Sequence, residues 1–180
     1  MTLGGMSSIR QKIYKDDMIK VLFVCLGNIC RSPMAEAVFN KYVEEQGLTH
    51  LFTADSAGLI DYHEGELPDK RMRQHASMHS YYLTHRSRPI ELGDFNKFDY
   101  IVCMDHSNRQ ALLSMVTTPE QQDKILDMAS FLRHHKSTTI PDPYYDGDAG
   151  FELVIDLLED ACLSLLEHLE NINSTINQRS

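Results

Sequence analysis

The stretch "VLFVCLGNICRS", residues 21–32, decides how this chain is read. With the preceding Ile19 and Lys20, its first half is a nearly continuous apolar run rich in β-branched side chains, which suits a strand buried on both faces. Its second half packs two cysteines, a glycine, an asparagine and an arginine into a short loop. The following segment, SPMAEAVFNKYVEEQG (32–47), reads as a helix. Ser32 is the expected N-cap, Pro33 sits where a first helical residue tolerates it, and Gly47 is a natural stop. Met34, Ala35, Val38, Phe39 and Tyr42 form an apolar stripe at helical spacing, which is expected in the core.

A strand that runs through one tight loop into a helix points backbone N–H groups and the positive end of the helix dipole into one concavity. Gly27 and Asn28 are the residue types expected to take left-handed conformations there. A thiol at Cys25 would then favour its thiolate form, with Ser32 donating a hydrogen bond to the sulfur. Arg31 offers a planar fork for two phosphate oxygens. The competing reading is a buried core thiol and a surface charge, since free cysteine is among the most buried residue types and Cys-x5-Arg alone is a weak signal. Location at a strand end favours the anion cradle. A nucleotide loop is excluded, because no Gly-x4-Gly-Lys-Ser/Thr is present. A thioredoxin-type pair is excluded too, because four residues separate Cys25 from Cys30.

Working outward, strands are expected at 51–58, 98–105 and 123–128, and helices at 68–80 and 107–115. A last helix over 151–170 is built on Phe151, Val154, Ile155, Leu158, Cys162, Leu165, Leu166 and Leu169. Strands alternating with helices imply an α/β single domain, a four-stranded parallel sheet with helices on both faces. Ligands in such folds bind at the carboxyl ends of strands, where Cys25 and Asp105 fall.

The chain has 180 residues, 26 acidic against 17 basic side chains, and a formal net charge of −9. One compact domain fits that length. The acidic balance argues against a general affinity for nucleic acid or anionic membrane, while leaving room for one small positive pocket. No run approaches the roughly 18 apolar residues of a membrane helix. Residues 1–18 read as a disordered leader, 19–170 as the domain and 171–180 as a tail. Four cysteines do not make a disulfide scaffold, so a reducing, cytoplasmic setting is expected.

No metal or cofactor is expected. Asp142, Asp146 and Gly147 match part of a calcium loop, but Tyr144 and Leu153 occupy positions that need oxygen ligands. His75 and His79, spaced i, i+4, lack a third ligand in view and are expected on a solvated helix face.

Taken with DSAG (55–58), HRSR (85–88), FDYIVCMD (98–105) followed by Ser107-Asn108, and DPYYDG (142–147), the opening stretch resembles the low-molecular-weight protein tyrosine phosphatases over roughly residues 19–170. The resemblance implies a metal-independent, two-step hydrolysis of phosphotyrosine in proteins, with phosphate or similar oxyanions bound in the loop. By position, Cys25 resembles the nucleophile that forms a phosphocysteine, Arg31 the phosphoryl clamp, and Asp142 the general acid and then base. Gly27, Asn28, Cys30 and Ser32 belong to the binding loop, and Ser56 and His85 resemble partners that tie Asn28 in place. Leu26, Ile29, Tyr62 and Tyr144 fall where the family walls a slot for an aromatic ring. Leu59 departs from the small polar residue many members carry, which bears on substrate preference. Isoleucine at 29, where relatives acting on phosphoarginine have threonine, favours tyrosine. The Cys25/Cys30 pair resembles one that relatives use as a reversible redox guard.

Overall fold

The computed structural model describes residues 18–179, so the expected leader lies almost wholly outside the described residues. Strand β1 (Ile19–Cys25) leads through the loop into helix α1 (Arg31–Glu45), then β2 (Phe52–Gly58) and α2 (Lys70–Met78). A short α3 (Asp94–Lys97) precedes β3 (Tyr100–Cys103), followed by α4 (His106–Met115), α5 (Pro119–Asp123) and β4 (Ile125–Asp127). The long α6 (Asp148–Arg179) closes the fold.

The four strands are parallel, in the order β2-β1-β3-β4. The order reverses beside β1, so the crevice at its carboxyl end is where such a sheet offers a ligand site. β1 is buried on both faces, as a central parallel strand must be. Val21, Phe23 and Cys25 join the core under α1, α2 and α6, and Leu22 and Val24 join the one under α3 and α4. Phe39 meets Phe23 and Phe52 edge-on, with ring centroids 5.5 and 6.2 Å apart, which fixes α1 across the sheet.

Helix α6 runs to Arg179, past the expected end at 170. Leu169 is its last fully buried residue, yet no glycine or proline follows to stop the hydrogen-bond ladder. The stretch expected as a tail therefore continues the helix as an exposed extension. No helix among the described residues is long and apolar enough to cross a membrane.

Candidate active site

Helix α1 begins at Arg31, one residue before the expected cap, and its capping position is Cys30, which makes no side-chain cap bond. Ser32 lies inside the first turn with its hydroxyl turned back into the loop, 3.0 Å from the sulfur of Cys25. The reason is Asn28, which is fully buried in the left-handed conformation at φ 57°. Its Oδ1 accepts from the backbone N–H of Arg88 at 3.0 Å, a fixed donor that settles the orientation of the amide. Its Nδ2 then donates to the hydroxyls of Ser32 (2.8 Å) and Ser56 (3.0 Å). Having accepted from Asn28, the Ser32 hydroxyl has its own proton for the sulfur or for the carbonyl of Ala57, 3.4 Å away. By the same logic His85 donates through Nε2 to Asn28 Oδ1 at 2.9 Å.

Gly27 is not left-handed, contrary to expectation; the strain is carried by Asn28 alone within this loop. What Gly27 provides is room, because a Cβ there would stand 3.3 Å from the ring of His63. Gly58 is tighter, since its Cβ would come 3.0 Å from the carbonyl of Leu26. The end of β2 thus lies directly against the loop.

Arg31 is buried, 3% exposed, and its Nη1 donates to Asp105 at 2.6 Å and to the carbonyl of Ile140 at 3.1 Å. Asp105 is itself fixed by capping α4, its other oxygen accepting from the N–H of Asn108 at 2.7 Å. Burial works against the guanidinium, but Cys25, Asp105 and Asp142 outweigh it and raise its pKa. The other arm of the fork, Nη2, faces Asp142 at 3.5 Å. Asp142 is held by the N–H of Tyr144 on its Oδ1 at 3.1 Å, a turn in which Pro143 limits the backbone.

These groups open on a cleft of about 360 Å³ lined by Cys25, Leu26, Gly27, Ile29, Cys30 and Arg31 on one side. Tyr62, Asp142, Tyr144 and Tyr145 face them, joined by Ile60 and His63, which the sequence did not single out. His63 is held by Glu66 on Nδ1 at 2.7 Å and by the edge of the Tyr62 ring. Only its adjacency to Tyr62 could have flagged it. Asn28 and Ser32, expected among the binding residues, lie behind the loop and do not line the cleft. Leu59, expected at the pocket wall, packs into the core beyond β2, with its N–H on the carbonyls of Cys25 and Leu26; Ile60 takes the wall instead. Burial pushes the Cys30 thiol far above its ordinary pKa, so it stays neutral.

Among the described residues, Glu36, Asp55 and His85 are the one carboxylate–histidine trio close enough to share an ion. Arg88 already pairs with Asp55 at 3.2 Å, and burial beside Asp55 pushes Glu36 up to about 8. A guanidinium and a retained proton thus balance the charge there. His75 and His79 are not on a solvated face. Both turn toward α6, where Glu152 binds each of them, at 2.6 and 2.7 Å.

A strand-to-helix loop that places a sulfur and a guanidinium on one cleft, with a carboxylate across it, is the arrangement of a cysteine-dependent phosphate-ester hydrolase. The chain belongs to the low molecular weight phosphotyrosine protein phosphatase family, whose profile matches residues 20–175. It is 40% identical over 147 residues to the human low molecular weight phosphotyrosine protein phosphatase, covering 82% of this chain and 93% of that one. The Streptomyces coelicolor low molecular weight protein-tyrosine-phosphatase is 41% identical over 149 residues, 82% of this chain and 91% of that one. The crystal structure of a protein tyrosine phosphatase from Entamoeba histolytica with Hepes in its active site superposes with a TM-score of 0.83 at 46% identity. That match covers 86% of this chain and 99% of the other.

Proposed function

We propose that this protein hydrolyses phosphotyrosine in proteins, and small aryl phosphates, through a phosphocysteine formed on Cys25. The observation that carries the reading is the convergence of Cys25, Arg31 and Asp142 on one cleft, with the Ser32 hydroxyl 3.0 Å from the sulfur. The sulfur of Cys25 attacks phosphorus while the bond to the phenol oxygen breaks, and Asp142 gives that oxygen its proton. Arg31, positioned by Asp105, binds the phosphoryl oxygens and stabilises the charge that spreads over them. Asp142, now ionised, takes a proton from water, whose oxygen attacks phosphorus and returns the sulfur as thiolate. The balance closes on phosphate and a phenol.

Leu26, Ile29, Tyr62 and Tyr144 wall the cleft above the loop, a slot suited to a flat ring. Asn28, Ser56 and His85 act from behind it, holding the loop in its anion-binding shape. Phosphate and related oxyanions would bind the same loop as products or inhibitors. The four free, buried thiols fit a reducing compartment, and the cytoplasm is the location we infer.

Turnover of phosphotyrosine, phosphoserine, phosphoarginine and an aryl phosphate, measured with EDTA present, tests the reading. Phosphotyrosine and the aryl phosphate should be hydrolysed with EDTA having no effect. Preference for phosphoarginine would overturn the substrate assignment, and turnover by Cys25→Ser would overturn the mechanism.

A further inference from the structure

A second cluster of titratable side chains lies outside the cleft, where α2 meets the start of α6. We propose that His75, as an imidazolium clamped between Asp148 and Glu152, is a positioning residue that holds the segment carrying Asp142 in its working place. The inference rests on the proposed acid role of Asp142.

The geometry requires the charge. Nδ1 of His75 lies 2.6 Å from Glu152 Oε1, and Nε2 lies 3.1 Å from Asp148 Oδ1. A neutral imidazole has one N–H and can donate to one carboxylate; only the doubly protonated ring donates to both. The ring is largely buried, 8% exposed, and lies parallel to Phe151 at 8° with centroids 5.6 Å apart. It cannot swing away to trade one partner for the other.

The clamp reaches the acid through a continuous stack. Arg71, one turn before His75 on α2, places its guanidinium 4.9 Å over the Phe151 ring and 5.3 Å over the Tyr144 ring. Tyr144 in turn gives its N–H to Asp142. Asp148 and Glu152 are on the first turns of α6, directly after the loop 142–147. The other face of the arrangement is anchored to the phosphate loop, because Asp69, which caps α2 and binds Arg71, donates its N–H to the carbonyl of Ile29 at 2.8 Å. Losing the charge on His75 releases Asp148, the first residue of α6 and the clamp partner nearest the acid-bearing loop, while Glu152 keeps its contact with His79.

The charged groups around the ring are Asp148 and Glu152 from α6, and His79 and Arg71 from its own helix. His79 shares Glu152 through Oε2 at 2.7 Å and lies 3.9 Å from Glu159. The bond to Glu152 leads in raising the His75 pKa above its ordinary value, against a smaller burial effect, so the clamp is closed at acid pH and opens as pH rises through that raised value. Glu152 is held below its usual range, chiefly by His75.

The test compares wild type with His75→Gln from pH 5.5 to 9.5, using phenyl phosphate, whose leaving group needs a proton, and an activated aryl phosphate, whose leaving group does not. The wild-type to variant ratio of kcat for phenyl phosphate should be about three- to tenfold at low pH, a fraction of the ~10²-fold a 1 Å displacement can cost. It should decline toward one along the titration of His75 itself, followed by NMR of its ring proton, while the ratio for the activated substrate stays near one. In the wild type, the amide signals of Tyr144 and Gly147 should titrate with His75, and in His75→Gln that transition should vanish. Asp148→Asn, at a largely exposed position, serves as a second variant and should lower the His75 pKa and shift the decline to lower pH. A ratio independent of pH, equal loss with both substrates, or loop amides that ignore His75 would overturn the proposal. If the amides follow His75 but the two substrates respond alike in wild type and in Asp142→Asn, the clamp stands and the acid role of Asp142 fails.

Discussion

The hydroxyl of Ser32 lies 3.0 Å from the sulfur of Cys25, held there by the amide of Asn28, which donates to the hydroxyl oxygen at 2.8 Å. A hydroxyl proton turned toward that sulfur favours negative charge on it, and Asn28, buried behind the loop, keeps the hydroxyl within reach. Ser32→Ala should therefore slow phosphoryl transfer by about tenfold, the scale of one hydrogen bond to a charged group. Alkylation of Cys25 by iodoacetate, measured at one fixed pH, should also slow in that variant. An unchanged alkylation rate would remove Ser32 from the chemistry.

Cys25→Ser should abolish turnover while retaining phosphate binding. The hydroxyl keeps the loop's shape, since Arg31 and the backbone N–H groups are untouched, but is a far poorer nucleophile near neutral pH. Calorimetric titration with inorganic phosphate checks the binding. More than a few per cent of wild-type activity in the clean variant would sink covalent catalysis.

Asp142→Asn should depress kcat most for poor leaving groups and least for activated aryl phosphates, because a general acid matters in proportion to the proton the leaving group needs. A plot of log kcat against leaving-group pKa should be steeper in the variant. Parallel lines would make Asp142 a positional residue only.

Much of this was legible in local signals. The apolar run of β1 and the Cys25-to-Ser32 loop are contiguous in sequence, and short-range periodicity and turn chemistry report such segments directly. What periodicity could not report was partnership across the fold. Ser32 looked like a helix cap because a cap is what serine offers locally, yet its hydroxyl is claimed by Asn28 and Cys25. His75 and His79 looked solvated because the carboxylate that binds them, Glu152, is more than seventy residues away. The end of α6 was misplaced for another reason: burial stops at Leu169, but no chain-breaking residue stops the helix.

The His75 clamp also predicts a pH-dependent stability. Its pKa is raised in the fold, so its contribution is fully present below the unfolded value of about 6.5 and fades as pH rises through the folded one. Asp148 is largely exposed, which keeps the whole effect on the order of 1 kcal/mol. Scanning calorimetry should find His75→Gln less stable than wild type by about 2–4 °C at pH 6, with the gap closing as pH rises through the titration of His75. A gap that stays constant with pH would mean that packing on Phe151, not charge, is what His75 contributes.

Cys30 lies in the same loop as Cys25, five positions on, and both line the cleft as free thiols. Peroxide converts the Cys25 thiolate to a sulfenic acid with loss of hydroxide, and a neighbouring thiol can displace water from that acid to form a disulfide before oxidation goes further. Burial holds Cys30 as a neutral thiol, so the expected order is oxidation at Cys25 first, with Cys30 resolving it. The sulfurs must close to about 2 Å, so the loop has to yield locally, and its strain at Asn28 is where that movement is expected. Wild-type enzyme should lose activity in peroxide and regain it with dithiothreitol. Cys30→Ser should start active and lose activity irreversibly, its Cys25 driven on to sulfinic and sulfonic acids. Mass spectrometry of the treated wild type checks the pairing, and sulfonic acid at Cys25 with no Cys25–Cys30 disulfide would show that Cys30 merely packs beneath the loop.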